Sequence, residues 1–393
     1  MKPFEFFNVP RVVFGRGQFS RVGEIAASLG RRAMVVTNVS GAAREPMLER
    51  LGGLLAAAGV SLTLCQQHGE PQVSDVQAAV DAARKAGCDL VIGLGGGSAI
   101  DAAKAAAGIL ANGGEPLDYM EVVGKGQKLA LPALPWIAIP TTAGTGAEVT
   151  RNAVIGCPEK HFKASLRSEH LLARVALVDA ELCISAPPKV TACSGMDALC
   201  QLIESYTSLS AQPFTDGLAL QGMALAARSL QRAFTDGADL DAREDMSAAA
   251  TMSGITLANA GLGAVHGFAA PLGANFPAPH GAVCAALLPH VMAANVKALR
   301  ESPDGSFALA RYADVGRTLT GRQDMPDAQA IDAGIAFTAE LSRDLKIPPL
   351  GNFGLTAERV TEMIQLAAKS SSMRYNPVKL SDETLAEILT KAI

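Results

Sequence analysis

The 393-residue sequence is poor in charge, with Asp, Glu, Lys and Arg together at 18%, and it has no block of one sign. Thirty-eight acids against 34 bases leave a net charge of −4. Interleaved charge of this kind argues against nucleic acid or an anionic membrane as the main partner. No CxxC pair occurs among the seven cysteines, at 65, 88, 157, 183, 193, 200 and 284, and their number is odd. A chain this large does not need covalent staples, so they read as reduced thiols, mostly buried, of a cytoplasmic protein. The longest apolar stretches, such as Leu129–Pro140 and the Ala-rich run after Asp101, fall short of the roughly 20 residues that span a bilayer. The start, MKPFEFFNVP, has neither an apolar segment behind a basic one nor a cleavage signal. Histidine is scarce, six in all.

What is present is apolar substance: 49% of the residues are hydrophobic, enough for more than one core. In the first half, β-rich runs alternate with helical ones. MVVT (34–37) precedes an amphipathic stretch at 44–58, SLTLC (61–65) precedes 73–86, and DLVIGLG (89–95) precedes 99–110. WIAIP (136–140) and VALVD (175–179) follow. This alternation predicts βαβ units and a parallel sheet covered on both faces. From Pro187-Pro188 onward the apolar residues recur at helical spacing. The expected organisation is therefore an α/β domain over 1–187 and an all-α domain over 188–393.

The run Gly95-Gly96-Gly97-Ser98-Ala99-Ile100-Asp101 directly follows an apolar strand. Residues without Cβ let a phosphate approach the backbone, and the amides opening the next helix turn toward it with the positive end of the dipole. A diphosphate suits such a place; a tight strand-to-helix turn is the plainer reading. The second loop, Pro140-Thr141-Thr142-Ala143-Gly144-Thr145-Gly146, also leaves a strand. In a parallel sheet both loops emerge at the carboxyl edge, where ligands bind. Asn38 ends an earlier strand, at a place where an acid would commonly hold the adenosine ribose. A neutral amide there repels a 2′-phosphate less than Asp would.

In the second half, Asp197 and Gln201 stand at i and i+4 on one helix face. His266 and His280 bracket a Pro/Gly-rich reversal. Taken singly, each His reads more readily as a core residue than as a ligand. Together with the Asp/Gln pair they form a plausible four-ligand set, Asp197, Gln201, His266 and His280, for a first-row divalent ion such as Fe²⁺ or Zn²⁺.

The runs GGGSAIDAAK, PTTAGTGAEVT, GMDAL and the VHG…PHG pair resemble the iron-containing (group III) alcohol dehydrogenases. The likeness runs from Asn8-Val9-Pro10 to Asn376-Pro377. The resemblance implies an N-terminal Rossmann-like domain and a helical C-terminal domain, an architecture shared with dehydroquinate synthase-like enzymes. It also implies hydride transfer between NAD, with NADP possible, and a small alcohol or aldehyde at a metal. By position it implies cofactor contacts at Gly96, Gly97, Ser98, Asp101, Thr141, Thr142 and Thr145, with Asn38 in place of the usual Asp and Lys163 near the nicotinamide ribose. The catalytic metal centre falls on Asp197, His266 and His280. A homodimer or higher homo-oligomer is expected. Two departures stand out: Gln201 replaces the family's fourth ligand, a His, and Ala270 replaces a His with a proton-transfer role. These motivate two rival readings: a metal-independent reductase resembling maleylacetate reductase, and a catalytically silent nucleotide-binding protein. A dehydroquinate synthase-like lyase is a third, disfavoured because few basic residues accompany the helical motifs.

Overall fold

The computed structural model describes residues 3–160 and 162–393. The chain divides into two compact units. One comprises Phe7–Thr142 and Gly146–Ala186; the other comprises a segment ending at Phe6, Ala143–Thr145 and Pro187–Ile393.

All five runs expected as strands form strands; four are rich in β-branched and apolar residues and largely buried, while SLTLC forms an exposed edge strand. The strands are β1 (Val12–Phe14), β2 (Arg32–Thr37), β3 (Ser61–Gln66), β4 (Leu90–Gly95), β5 (Trp136–Pro140), β6 (Asn152–Cys157), β7 (Phe162–Arg167) and β8 (Val175–Val178). Six of them form one parallel sheet in the order β1-β8-β5-β4-β2-β3. Between them run α1 (Val22–Ala27), α2 (Arg44–Ala57), α3 (Val73–Ala86), α4 (Gly97–Asn112) and the short α5 (Pro116–Tyr119). The chain steps outward from β2 to β3 and then crosses back past β2 to β4, so its direction reverses at the β2/β4 pair. With right-handed crossovers, α1 and α2 share one face of the sheet and α3 and α4 the other. The carboxyl ends of β2 and β4 therefore flank a topological switch point, where ligands bind in sheets of this kind.

The antiparallel hairpin β6–β7 and the short β1 are additions to the strands expected from the sequence. The hairpin is fastened to α4 by a buried ion pair. Lys104 is fully buried, and its Nζ donates to Asp101 Oδ1 (3.3 Å), Thr150 Oγ1 (2.8 Å) and the Asn152 carbonyl (2.7 Å). Asp101 Oδ2 accepts the Val154 N–H at 3.0 Å. Burial pushes the Asp101 carboxyl up and the Lys104 ammonium down, and each partner offsets part of that cost for the other.

The second unit is helical. It is built from α6 (Pro188–Thr207), α7 (Pro213–Thr235), α8 (Leu240–Ala260), α9 (Ala264–Asn275), α10 (His280–Glu301), α11 (Ser306–Thr320), α12 (Asp327–Asp344), α13 (Val360–Ala367) and α14 (Asp382–Ala392). Pro188 is the first helical residue of α6, where its fixed φ and missing N–H cost nothing. From Gly195 to Thr207 every residue of α6 is buried, so this helix is the axis of the unit. Its polar residues therefore face other helices, not water. Gly281 lets α10 reach α6: a Cβ there would lie 2.0 Å from the Cys193 carbonyl oxygen. By length and hydropathy α10 could cross a membrane, which the shorter apolar runs of the sequence did not suggest; 67% of its apolar window is buried, as befits a core helix.

Removing one partner of a buried ion pair strands the other's charge. Lys104→Met is expected to lower unfolding free energy by about 3–5 kcal/mol in chemical denaturation. The double variant with Asp101→Asn is expected to recover part of that loss, and equal losses in the two would show that the pair is not coupled.

Candidate metal centre

Asp197, Gln201 and Glu204 lie on one face of α6 at i, i+4 and i+7, a spacing that stacks side chains along a helix. All three are buried, at 2%, 3% and 6% exposure. A carboxylate so placed needs positive charge or donors around it. Asp197 finds them on two further helices. His266 Nε2 lies 3.2 Å and His280 Nε2 3.6 Å from Asp197 Oδ1. His266 is in the first turn of α9, and His280 is the first residue of α10, so the second histidine belongs to a helix start and not to a free loop.

Glu204 holds His266 from behind. Its Oε2 is 2.6 Å from His266 Nδ1, and since a carboxylate only accepts, the proton sits on Nδ1. That leaves Nε2, on the Asp197 side, as the nitrogen able to bind a cation. The same carboxylate accepts the N–H groups of Val265 (2.8 Å) and His266 (3.3 Å), while Asn376 Oδ1 accepts that of Ala264 (3.1 Å). The orphan amides opening α9 are thus satisfied by the side chains that fix its histidine.

Gln201 stands in the site, but its expected oxygen donor is turned away. Its Nε2 donates to Asp197 Oδ2 (3.0 Å), and its Oε1 accepts from Ser253 Oγ (2.7 Å) on α8. A flipped amide would set its oxygen against a carboxylate oxygen, so this orientation is the stable one. Gln201 therefore orients Asp197 and leaves Oδ1 free. A different side chain completes the cluster. Cys284, one turn after His280 on α10, places Sγ 3.7 Å from His266 Nε2. One donor atom from each of Asp197, His266, His280 and Cys284 lies within 4.8 Å of all the others. Cys284, Glu204 and Ser253 were not singled out from the sequence. The i,i+4 rule that paired Asp197 with Gln201 also pairs His280 with Cys284.

The electrostatics call for a cation. Burial works against a charged imidazole, yet Cys284, Asp197 and Glu204 hold His266 well above its ordinary value. Burial likewise opposes the charge of His280, but Cys284 and Asp197 raise it to about 9. Burial pushes Asp197 up, and the two imidazoles more than reverse that, so it lies below the usual carboxylate value. Burial drives the Cys200 thiol up to about 12 and Cys284 well above its ordinary value. One carboxylate, two imidazoles and one thiol, with donor atoms within 4.8 Å of one another, fit a divalent first-row ion.

In the sheet unit, Asn38 and the glycine loop meet at the switch point. Asn38 Oδ1 accepts the Gly96 N–H at 2.9 Å. Gly95 has φ +153°, and a Cβ on it would lie 2.1 Å from that oxygen, so only glycine fits. Thr142 Oγ1 would be 3.4 Å from a Cβ on Gly96, and the Thr141 N–H donates to the Gly95 carbonyl at 2.9 Å. Among the described residues no side chain caps α4, which leaves its opening turn, with Gly97 and Ser98, available to an anion. Asp101 is engaged with Lys104 and Val154, Lys163 pairs with Glu70 (2.9 Å), and Thr145 belongs to the helical unit. Ala270, where the family carries a histidine, is exposed on α9.

Comparison with known proteins agrees with this architecture. Residues 10–180 match the family model described as iron-containing alcohol dehydrogenase, and residues 191–393 match the Fe-containing alcohol dehydrogenase family, C-terminal. The chain is 38% identical over 388 residues to the probable alcohol dehydrogenase EutG of Escherichia coli (strain K12), covering 98% of this chain and 94% of that one. It is 31% identical to the NAD-dependent methanol dehydrogenase of Bacillus methanolicus, covering 99% of each. Among solved structures, 1,3-propanediol oxidoreductase superposes with a TM-score of 0.92 at 31% identity, covering both chains completely. With both halves matched in order and close relatives along its length, the chain belongs to the iron-containing alcohol dehydrogenase family.

Proposed function

We propose that this oxidoreductase moves hydride between NAD and a small alcohol or aldehyde, using a divalent ion held by Asp197, His266 and His280. The observation that carries the reading is the convergence of one carboxylate oxygen and two imidazole nitrogens from three helices, with separations of 3.2 and 3.6 Å to Asp197 Oδ1. A bound ion polarises the substrate oxygen, stabilising alkoxide in oxidation and activating carbonyl in reduction. The chain's own residues prepare that chemistry. Glu204 keeps the proton of His266 on Nδ1, and Gln201 steers Asp197 so that Oδ1 faces the imidazoles. His280, with 43% of its side chain exposed, leaves the cluster open on one side. Since position 270 is Ala, the alcohol proton leaves by water or a ribose hydroxyl without an imidazole relay there.

NAD is favoured by the named activity of the methanol dehydrogenase relative and by the anion-accepting turn at Gly96–Ser98. The metal-independent reading loses ground because a surface freed from metal binding has no need to bury Asp197 among two histidines and Glu204. The silent-protein reading is disfavoured by the intact turn and cluster. A panel of short alcohols and aldehydes with NAD(H) and NADP(H), with metal content measured in parallel, tests the whole proposal.

His266→Ala is expected to abolish tight binding of Zn²⁺ or Fe²⁺ and most turnover; a variant with full metal content and rate would refute the site. Glu204→Gln keeps the shape but weakens the support of His266, and metal affinity should fall by about 10–100-fold in a competition titration. An unchanged dissociation constant would confine Glu204 to capping α9. Asn38→Asp retains an oxygen for the Gly96 N–H and adds charge. The ratio of kcat/KM for NAD over NADP should therefore rise, whereas a constant ratio would place Asn38 away from the ribose.

A further inference from the structure

We infer that Cys284 is the fourth protein ligand of the metal, in the place that Gln201 leaves vacant, and that its sulfur biases the site toward zinc over iron. The inference rests on the metal reading above and specifies its ligand set. Four donors at bond lengths of about 2.0–2.3 Å around a tetrahedral ion lie roughly 3.3–3.7 Å apart. The separations here are 3.2 Å between His266 Nε2 and Asp197 Oδ1, 3.6 Å between His280 Nε2 and Asp197 Oδ1, and 3.7 Å between Cys284 Sγ and His266 Nε2. These three separations thus already have the size of a coordination shell, and all four donors lie within 4.8 Å of one another.

Gln201 cannot take the fourth place without giving up two hydrogen bonds, because its oxygen is held by Ser253 and its nitrogen by Asp197. Cys284 needs no rearrangement. It lies one helical turn from His280, so both side chains leave the same face of α10, and it is fully buried. The other nearby thiol, Cys200, is 4.0 Å from His266 Nδ1, the nitrogen already committed to Glu204, and so stands behind the ring. When the ion binds, the Cys284 thiol proton passes to solvent and the thiolate donates to the metal. Two of the four ligands, Asp197 and Cys284, are then anionic, with the Glu204 carboxylate behind His266. Thiolate is the softer donor and favours zinc, while oxygen and nitrogen donors alone discriminate less.

Cobalt(II) reports the difference directly, because a thiolate ligand adds an intense sulfur-to-cobalt charge-transfer band in the near ultraviolet. Full-length wild type, Cys284→Ser and Cys200→Ser are to be titrated with cobalt(II) and then with competing zinc. The expected result is one cobalt per chain with the band in wild type and Cys200→Ser. Cys284→Ser should lose the band and bind zinc at least roughly tenfold more weakly. If the serine variant fails to fold, zinc-edge X-ray absorption of the wild type answers alone, with one sulfur expected at about 2.3 Å. Cobalt bound by wild type without the band, a band that survives Cys284→Ser, or a zinc shell without sulfur would each overturn Cys284 as ligand while leaving the metal reading intact. A wild type that binds no cobalt would overturn both.

Discussion

Asp197 is a carboxylate at 2% exposure on a helix buried along the whole stretch around it, and the polar groups gathered around it compensate that charge. Two histidines approach one of its oxygens, Gln201 donates to the other, and Glu204 steadies the nearer imidazole. The two histidines each need their own helix in place. Gly281 allows the close approach that brings His280 to α6, and Glu204 with Asn376 anchors the opening of α9. The groups assembled around this one desolvated carboxylate form a donor set suited to a cation, in a chain that belongs to the iron-containing alcohol dehydrogenase family.

The sheet unit solves a different problem with a comparable economy. Reversal of the strand order at β2 and β4 opens the carboxyl edge, and the Asn38–Gly96 hydrogen bond closes the two loops on each other there. The missing Cβ of Gly95 is what allows the contact. The buried Lys104–Asp101 pair acts further along α4, fixing the β6–β7 hairpin that carries Lys163.

Much of this was legible in the sequence because it depends on local spacing. Buried parallel strands read as apolar runs, Pro187-Pro188 marked the start of the helical unit's main stretch, and the Asp and His donors stood in recognisable motifs. The hairpin was harder to see. FKASLR alternates small, charged and apolar side chains over only six residues, and its partner β6 has no turn signature of the Asn-Gly kind. Asp101 sits in the right motif, but its partner is Val154 on β6, a contact set by tertiary packing. Gln201 shows the same limit. Its position on the Asp197 face follows from the helical period, while the direction of its amide is decided by Ser253, 52 residues away. Cys284 stands at i+4 from His280 by the same rule, while a lone thiol in an apolar helix reads equally as a core residue.

The central claim is that the Asp197 charge exists to hold a divalent ion. Calorimetric titration of metal-free wild type and of the isosteric Asp197→Asn variant with zinc tests it most directly. One ion per chain in the wild type, and an affinity lower by roughly a hundredfold or more in a variant that remains folded, is the predicted result. Equal dissociation constants in the two proteins would contradict it.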